Sequence, residues 1–260
     1  MPRGATSREA WITHLTRTVK ITLAYDGTRY VGWQRQAEGL SVQGLVEEAL
    51  ARFEGRPVTL HGAGRTDAGV HALGQVASAQ LCGGHETTEL RRGLNALLPR
   101  DVRVMQVDEV AADFHARFSA RAKAYRYAIR NAPIVSPFEY PFVWHVPDRL
   151  DVAAMQAAAA MLVGTHDFAC FHSAGSKIRN TTRTMTESRI DAVEGLITYH
   201  VAANGFLHHM VRAIAGTLVD VGRRGRLPGS LPALLDGRRR ADAGPTAPPQ
   251  GLFLVSVTYD

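Results

Sequence analysis

The chain has 260 residues, 45% of them hydrophobic and 21% charged, and a formal net charge of +6 at pH 7. That length suits one large or two ordinary globular domains, and no run of eighteen apolar residues offers a membrane-spanning helix. Two cysteines, Cys82 and Cys170, exclude a disulfide scaffold and a four-cysteine zinc site, and free thiols fit a reducing compartment, so the cytoplasm is the expected location.

Residues 1–17 read as a loose basic extension without the apolar core of a secretory signal. Val19–Tyr25 alternates and is β-rich, a strand turned by Asp26-Gly27-Thr28. Ser41 is a fitting N-cap for a helix whose apolar face carries Val42, Leu45, Val46, Ala49, Leu50 and Phe53. A strand near Val58–His61 runs into a glycine-rich loop, and Val70–Gln80 extends again. Thr88–Leu98 predicts a helix with Leu90, Leu94, Leu97 and Leu98 inward, ended by Pro99. Asp101–Val110 is a strand.

The second half repeats this grammar. Ala122–Arg130 is a strand with Tyr125, Tyr127 and Ile129 on one face and Arg126 and Arg130 on the other. A proline-rich loop over 131–149 follows, and Asp151 caps an alanine-rich helix to Val163. Strands at Arg183–Asp191 and Leu196–Ala203 flank a Glu194-Gly195 turn. Phe206–Val221 is a strongly amphipathic helix, Leu231–Leu235 a short one, and Leu252–Tyr259 a closing strand. The order implies an α+β fold of two split-βαβ units, ferredoxin-like or RRM-like, whose antiparallel sheets form a central cleft. The expected domains are 18–112 and 113–260, joined near 111–117.

The basic residues are 27 arginines against three lysines. A basic surface attracts polyanions, and arginine adds planar phosphate contacts and stacking on bases. The densest motif is Gly62-Ala63-Gly64-Arg65-Thr66-Asp67-Ala68-Gly69-Val70-His71. Three glycines in eight residues make a shaped loop, not a strand or helix interior, although an ordinary tight turn has the same composition. Asp67 stands where a dinucleotide fingerprint needs its third glycine, and no P-loop motif occurs. His166, Cys170 and His172 could be drawn together. His208 and His209, on successive helical positions, should point about 100° apart. Neither group has the spacing of a known metal motif, so no metal is expected. No serine or cysteine sits in a nucleophile motif. What remains is the carboxylate of Asp67, with Arg65 expected to charge-pair with it. A carboxylate can act as covalent nucleophile or stabilise a cationic sugar centre. Tyr125-Arg126-Tyr127 offers aromatic platforms with an interleaved cation, suited to bases and phosphates, though strand packing explains the tyrosines as well. Arg212 is a charge within an otherwise apolar helix, either a solvated flank or a partner for a carboxylate.

Further blocks accompany the loop in order: Tyr25-Asp26-Gly27-Thr28-x-Tyr30-x-Gly32-Trp33-Gln34, Ser41-Val42-Gln43-Gly44, Asn95–Pro99 and Phe114-His115-Ala116-Arg117-Phe118-Ser119-Ala120. Lys123-x-Tyr125-Arg126-Tyr127, His166-Asp167-Phe168, Phe206-Leu207-x-x-Met210-Val211-Arg212 and Gly251-Leu252 complete the set. From about residue 18 onward the chain resembles the TruA family of tRNA pseudouridine synthases. The resemblance implies isomerisation of uridine to pseudouridine at nucleotides 38, 39 and 40 of the tRNA anticodon stem-loop. It implies no cofactor and no metal, and a homodimer with tRNA lying across both subunits. By position, Asp67 would be the catalytic nucleophile and Tyr125 would stack on the target base. Arg65 would take the place of the flipped nucleotide, and Arg212 would pair with Asp67. The first 17 residues, the loop 173–182 and Arg238-Arg239-Arg240 fall outside the motifs. Two rivals stand beside this reading: a non-catalytic RNA-binding protein on the same fold, and a glycoside hydrolase, which needs a second carboxylate near Asp67.

Overall fold

The computed structural model describes residues 16–173, 178–235 and 239–260. Most of the 1–17 extension, residues 174–177 of the 173–182 loop, and Arg238 lie outside the described residues.

The N-terminal half runs β1 (Arg17–Tyr25), α1 (Val42–Glu54), β2 (His61–Gly62), β3 (His71–Leu81), α2 (Thr87–Leu97) and β4 (Val102–Val110). Ser41 caps α1 as expected, its side chain accepting from the Gly44 amide. Leu90, Leu94 and Leu98 face the core, but Leu97, the last residue of α2, is exposed although it continues the Leu90–Leu94 stripe. The C-terminal half runs β5 (Ala122–Arg130), β6 (Trp144–His145), α3 (Val152–Ala160), β7 (Gly164–Asp167), β8 (Thr182–Val193), β9 (Leu196–Ala203), α4 (Met210–Gly222), α5 (Leu231–Leu234) and β10 (Leu252–Thr258). Asp151 caps α3 through the Ala154 amide. Glu194 and Gly195, both at positive φ, make the β8–β9 turn, the backbone that matches strand twist in a two-residue hairpin.

The fold is α+β, and the strands align in one sheet of order β4-β1-β3-β10-β5-β9-β8-β7, with β2 on β3 and β6 on β5. Each half shows the split-βαβ order. In the first it is β4-β1-β3-β2, and in the second β10-β5-β9-β8. Every pairing is antiparallel except β5–β6 and the seam β3–β10, where Phe253 lies opposite His71 and Leu254 opposite Ala72. One continuous core spans both halves, from Ile21 and Leu50 to Ile214 and Leu254.

The seam positions the site. The start of β3 is held by β10, while its later residues Ala77 and Ser78 are held by β2. Between these two attachments the glycine loop 63–70 leaves the sheet. His71 closes the loop and is 1% exposed. Its Nδ1 accepts from the Gly27 amide at 3.0 Å, its Nε2 lies 3.2 and 3.1 Å from the carbonyls of Pro141 and Gln250, and its ring stacks on Phe253 at 4.7 Å. Burial lowers the His71 pKa, although Asp26 and the two carbonyls pull the other way. The lone pair that receives Gly27 exists only on the neutral ring, which agrees with burial prevailing.

Two outcomes are expected. A native histidine with lowered pKa binds fewer protons than the unfolded chain, so its contribution is intact above the unfolded value near 6.5 and is lost as pH falls below it. Urea midpoints should therefore decline from pH 7 toward pH 5, and less steeply in His71→Asn. Leu254→Ala, at a fully buried seam position, should lower unfolding free energy by about 2–5 kcal/mol, measured by chemical denaturation.

Candidate active site

The loop 63–70 is shaped by contacts on every side. Ala63 N–H donates to the Val76 carbonyl at 2.7 Å, and Gln75, fully buried, donates to the Gly64 carbonyl at 2.9 Å. Lys123 from β5 donates to the Ala63 carbonyl at 2.6 Å. Burial, with Arg117 in support, lowers the Lys123 pKa to about 8. Tyr25 and Thr66 share a buried hydroxyl–hydroxyl hydrogen bond of 2.8 Å, and Trp33 N–H donates to the Thr66 carbonyl at 3.1 Å. Two of the three glycines answer distinct needs. A Cβ on Gly62 would fall 2.3 Å from the Trp33 indole nitrogen, and Gly69 adopts φ +76°.

This frame turns Asp67 into a cleft of about 1510 Å³ between the two halves. Arg212 Nη1 donates to Asp67 Oδ2 at 2.8 Å across 145 residues of sequence. The guanidinium is itself fixed: Nε donates to the Ala247 carbonyl at 2.8 Å, while Ala247 N–H donates to the Arg212 carbonyl at 3.0 Å. His208 Nε2 lies 3.3 Å from Oδ1 and His209 Nε2 lies 3.3 Å from Oδ2. His208 Nδ1 is 2.6 Å from the Ser173 hydroxyl. Tyr125 lines the same cleft, its ring edge-on to Phe206 at 4.9 Å.

The cleft's charge is lopsided. Among the described residues Asp67 is its single carboxylate, against Arg35, Arg65, Arg117, Lys123 and Arg212. Asp67, His208 and His209 offer three ligand atoms within 4.8 Å of one another. With Arg212 already on Oδ2, a cation there would face a guanidinium, so the field suits an anionic ligand better. Among the described residues of the cleft, the hydrolase rival lacks the second carboxylate it requires.

Residues 21–119 and 158–260 match the family described as tRNA pseudouridine synthase. The curated "tRNA pseudouridine synthase A" of Moorella thermoacetica is 47% identical over 243 residues, covering 93% of this chain and 99% of that protein. The protein of the same name from Syntrophotalea carbinolica is 47% identical over 241 residues, 93% of this chain and 96% of its own length. That of Geobacter sulfurreducens is 46% identical, covering 94% and 100%. The chain belongs to the tRNA pseudouridine synthase family. It is thereby an isomerase acting on uridine in tRNA.

Three sequence expectations need correction for this family member. Arg65 does not pair with Asp67: it is exposed and forms no side-chain hydrogen bond or ion pair with the described residues, and Arg212 takes the carboxylate instead. Proximity in sequence misleads here because the Ala247 carbonyl fixes the Arg212 guanidinium on the carboxylate, while Arg65 stays exposed. Tyr127 is no platform, being fully buried with its hydroxyl donating to the Pro248 carbonyl at 2.7 Å. His208 and His209 converge, their rings 3.8 Å apart. They precede α4, which starts at Met210, and His209 is left-handed at φ +63°, so helical spacing does not apply to them. Sequence reading missed both histidines as neighbours of Asp67; their adjacency to the Met210-Val211-Arg212 block was the available signal. His166, Cys170 and His172 form no such cluster among the described residues.

Gly69→Ala should cost about 1–2 kcal/mol, since a side chain disfavours that backbone and the new Cβ would sit 3.1 Å from Pro249. Thermal melting would read the loss, with turnover falling more than tRNA affinity as Asp67 shifts.

Proposed function

We propose that this chain converts uridine to pseudouridine at nucleotides 38, 39 and 40 of the tRNA anticodon stem-loop, with Asp67 as the catalytic nucleophile. The observation that carries this reading is the single carboxylate among the described residues of the cleft, pinned by Arg212 and accompanied by five cationic side chains. The reaction breaks the N1–C1′ bond, turns the uracil and joins C5 to C1′. N1 gains a proton and C5 loses one, so the net change is an isomerisation that needs no redox partner. A carboxylate serves it by adding to the sugar or base, or by stabilising the cationic sugar.

A target in a paired or stacked region must be flipped out, at a cost of a few kcal/mol. Tyr125 would offset this by stacking on the base. Arg65, exposed and unpaired among the described residues, is free to enter the gap left behind. Arg212 holds Asp67 in place. Burial pushes the Tyr125 hydroxyl far above its usual range, with Tyr25 and Asp67 adding to the effect, so it stays protonated and is unsuited to act as a base near neutral pH. The cationic cleft would hold the phosphates, with affinity falling steeply as salt rises. A homodimer bridging one tRNA, and residence in the cytoplasm, belong to the same proposal.

Tritium release from tRNA carrying uracil labelled at C5 tests the chemistry. Asp67→Asn should abolish release while leaving tRNA binding within about threefold of wild type. Wild-type protein that binds tRNA yet releases no tritium from any tRNA would favour the non-catalytic reading. Tyr125→Ala should lose turnover, and Tyr125→Phe should keep most of it. Loss in Tyr125→Phe would make the hydroxyl, not the ring, the working group.

A further inference from the structure

The turn 114–119 lies on the cleft wall between β4 and β5, and apart from the positive charge of Arg117 the roles assigned above do not use it. The His61 and His115 rings are tilted against each other with centroids 4.9 Å apart, and the His115 and Phe118 rings likewise at 4.4 Å. The Arg117 guanidinium lies 5.6 Å from the Phe118 ring centroid. All four residues line the cleft that holds Asp67. Phe118 is nonetheless 76% exposed, so core packing does not explain a large apolar ring there.

Nor is the turn loose. His115 Nδ1 accepts from the Arg117 amide at 3.1 Å and the Phe118 amide at 3.4 Å, His115 N–H donates to Ser119 Oγ, and Ser119 N–H donates to the His115 carbonyl. Ala116, fully buried, anchors the turn at both polar groups: its N–H donates to Ser78 Oγ at 3.0 Å and its carbonyl accepts from the Tyr259 hydroxyl at 2.7 Å. The exposed ring is therefore held outward by a pre-organised turn. Pre-organisation reduces the ordering cost of binding, and an aromatic face beside a cation takes any nucleobase while the cation meets its phosphate.

We infer that Phe118, backed by His115 and flanked by Arg117, is a second base-stacking subsite that receives an unpaired RNA nucleobase outside the reacting position. This inference rests on the tRNA reading of the cleft, and it adds a binding contact distinct from Tyr125. The shelf works with a neutral His115: burial lowers its pKa, His61 and Arg117 add to this, and the two amides need the Nδ1 lone pair.

The test uses full-length protein with Phe118→Ala, Phe118→Leu and Phe118→Trp. Each is assayed for affinity to tRNA and to a twelve-nucleotide oligouridylate, and for KM and kcat in tritium release. Loss of one stacked base corresponds to about a tenfold weakening. Phe118→Ala and Phe118→Leu should show this in Kd and KM, with kcat within about twofold of wild type. Phe118→Trp should bind as tightly as wild type, and its added indole emission should be quenched by the oligouridylate. Wild-type affinity in Phe118→Ala, or equal affinity in the Leu and Trp variants, would overturn the subsite. Wild-type protein inactive in tritium release would defeat the synthase reading alone, because the binding and quenching arms judge the shelf without turnover.

Discussion

One buried imidazole holds the machinery together. His71 accepts from the turn at Gly27, approaches the carbonyls of Pro141 and Gln250, and stacks on Phe253. These contacts tie the end of the glycine loop to both halves of the chain at the point where β3 meets β10 in parallel. Asp67 and Arg212 are 145 residues apart, and nothing local brings them together. They meet because the seam fixes the loop against the C-terminal half. Parallel pairing is uncommon between neighbouring strands of an otherwise antiparallel sheet. Here it lets two split-βαβ units share one sheet while leaving a gap beside β3, and the loop rises from that gap.

The second constraint is electrostatic. A carboxylate amid five cationic side chains could be drawn toward any of them. The Pro245–Pro249 strap prevents that by exchanging backbone and side-chain hydrogen bonds with Arg212, and it passes so close to α4 that a Cβ on Gly216 would lie 1.8 Å from the Pro245 carbonyl. Arg212 therefore has a fixed direction, its planar guanidinium meeting the strap through Nε and the carboxylate through Nη1 at once. Lys123 is spent on the Ala63 carbonyl. The remaining cations, Arg35, Arg65 and Arg117, sit exposed along the cleft, where a polyanionic backbone can reach them.

Much of the fold was legible because local signals and tertiary structure agreed. Ser41 and Asp151 are side-chain caps where their positions before apolar runs said they would be, and the Glu194-Gly195 turn lies between its two strands. Where reading stopped short, long-range contacts had decided the matter. Alternation puts Tyr125 and Tyr127 on one face, but only the strap over Tyr127 makes one core and leaves the other at the cleft. The need for glycine at 62 comes from Trp33, 29 positions earlier, not from the loop's own turn. Phe206 and Leu207 continue the apolar period of the following helix, so the pattern ran four residues past its true start at Met210. The family blocks supplied Asp67 and Arg212 as a pair before any geometry did.

That misplaced helix start has a chemical consequence. Were 206–221 one helix, one of the two histidines would turn away from Asp67. The left-handed backbone of His209 brings both Nε2 atoms to the carboxylate instead. Burial lowers the His209 pKa despite the attraction of Asp67, and His208, Arg212 and Arg240 repel a further charge. Near neutral pH His209 thus approaches the carboxylate without charging it, and Arg212 remains the fixed positive charge on Oδ2. The distinction bears on the nucleophilic role proposed for Asp67, since an opposite charge that stabilises an anion also makes it less ready to attack. One fixed cation orients the carboxylate; a second on the same oxygen would hold it at the expense of its reactivity.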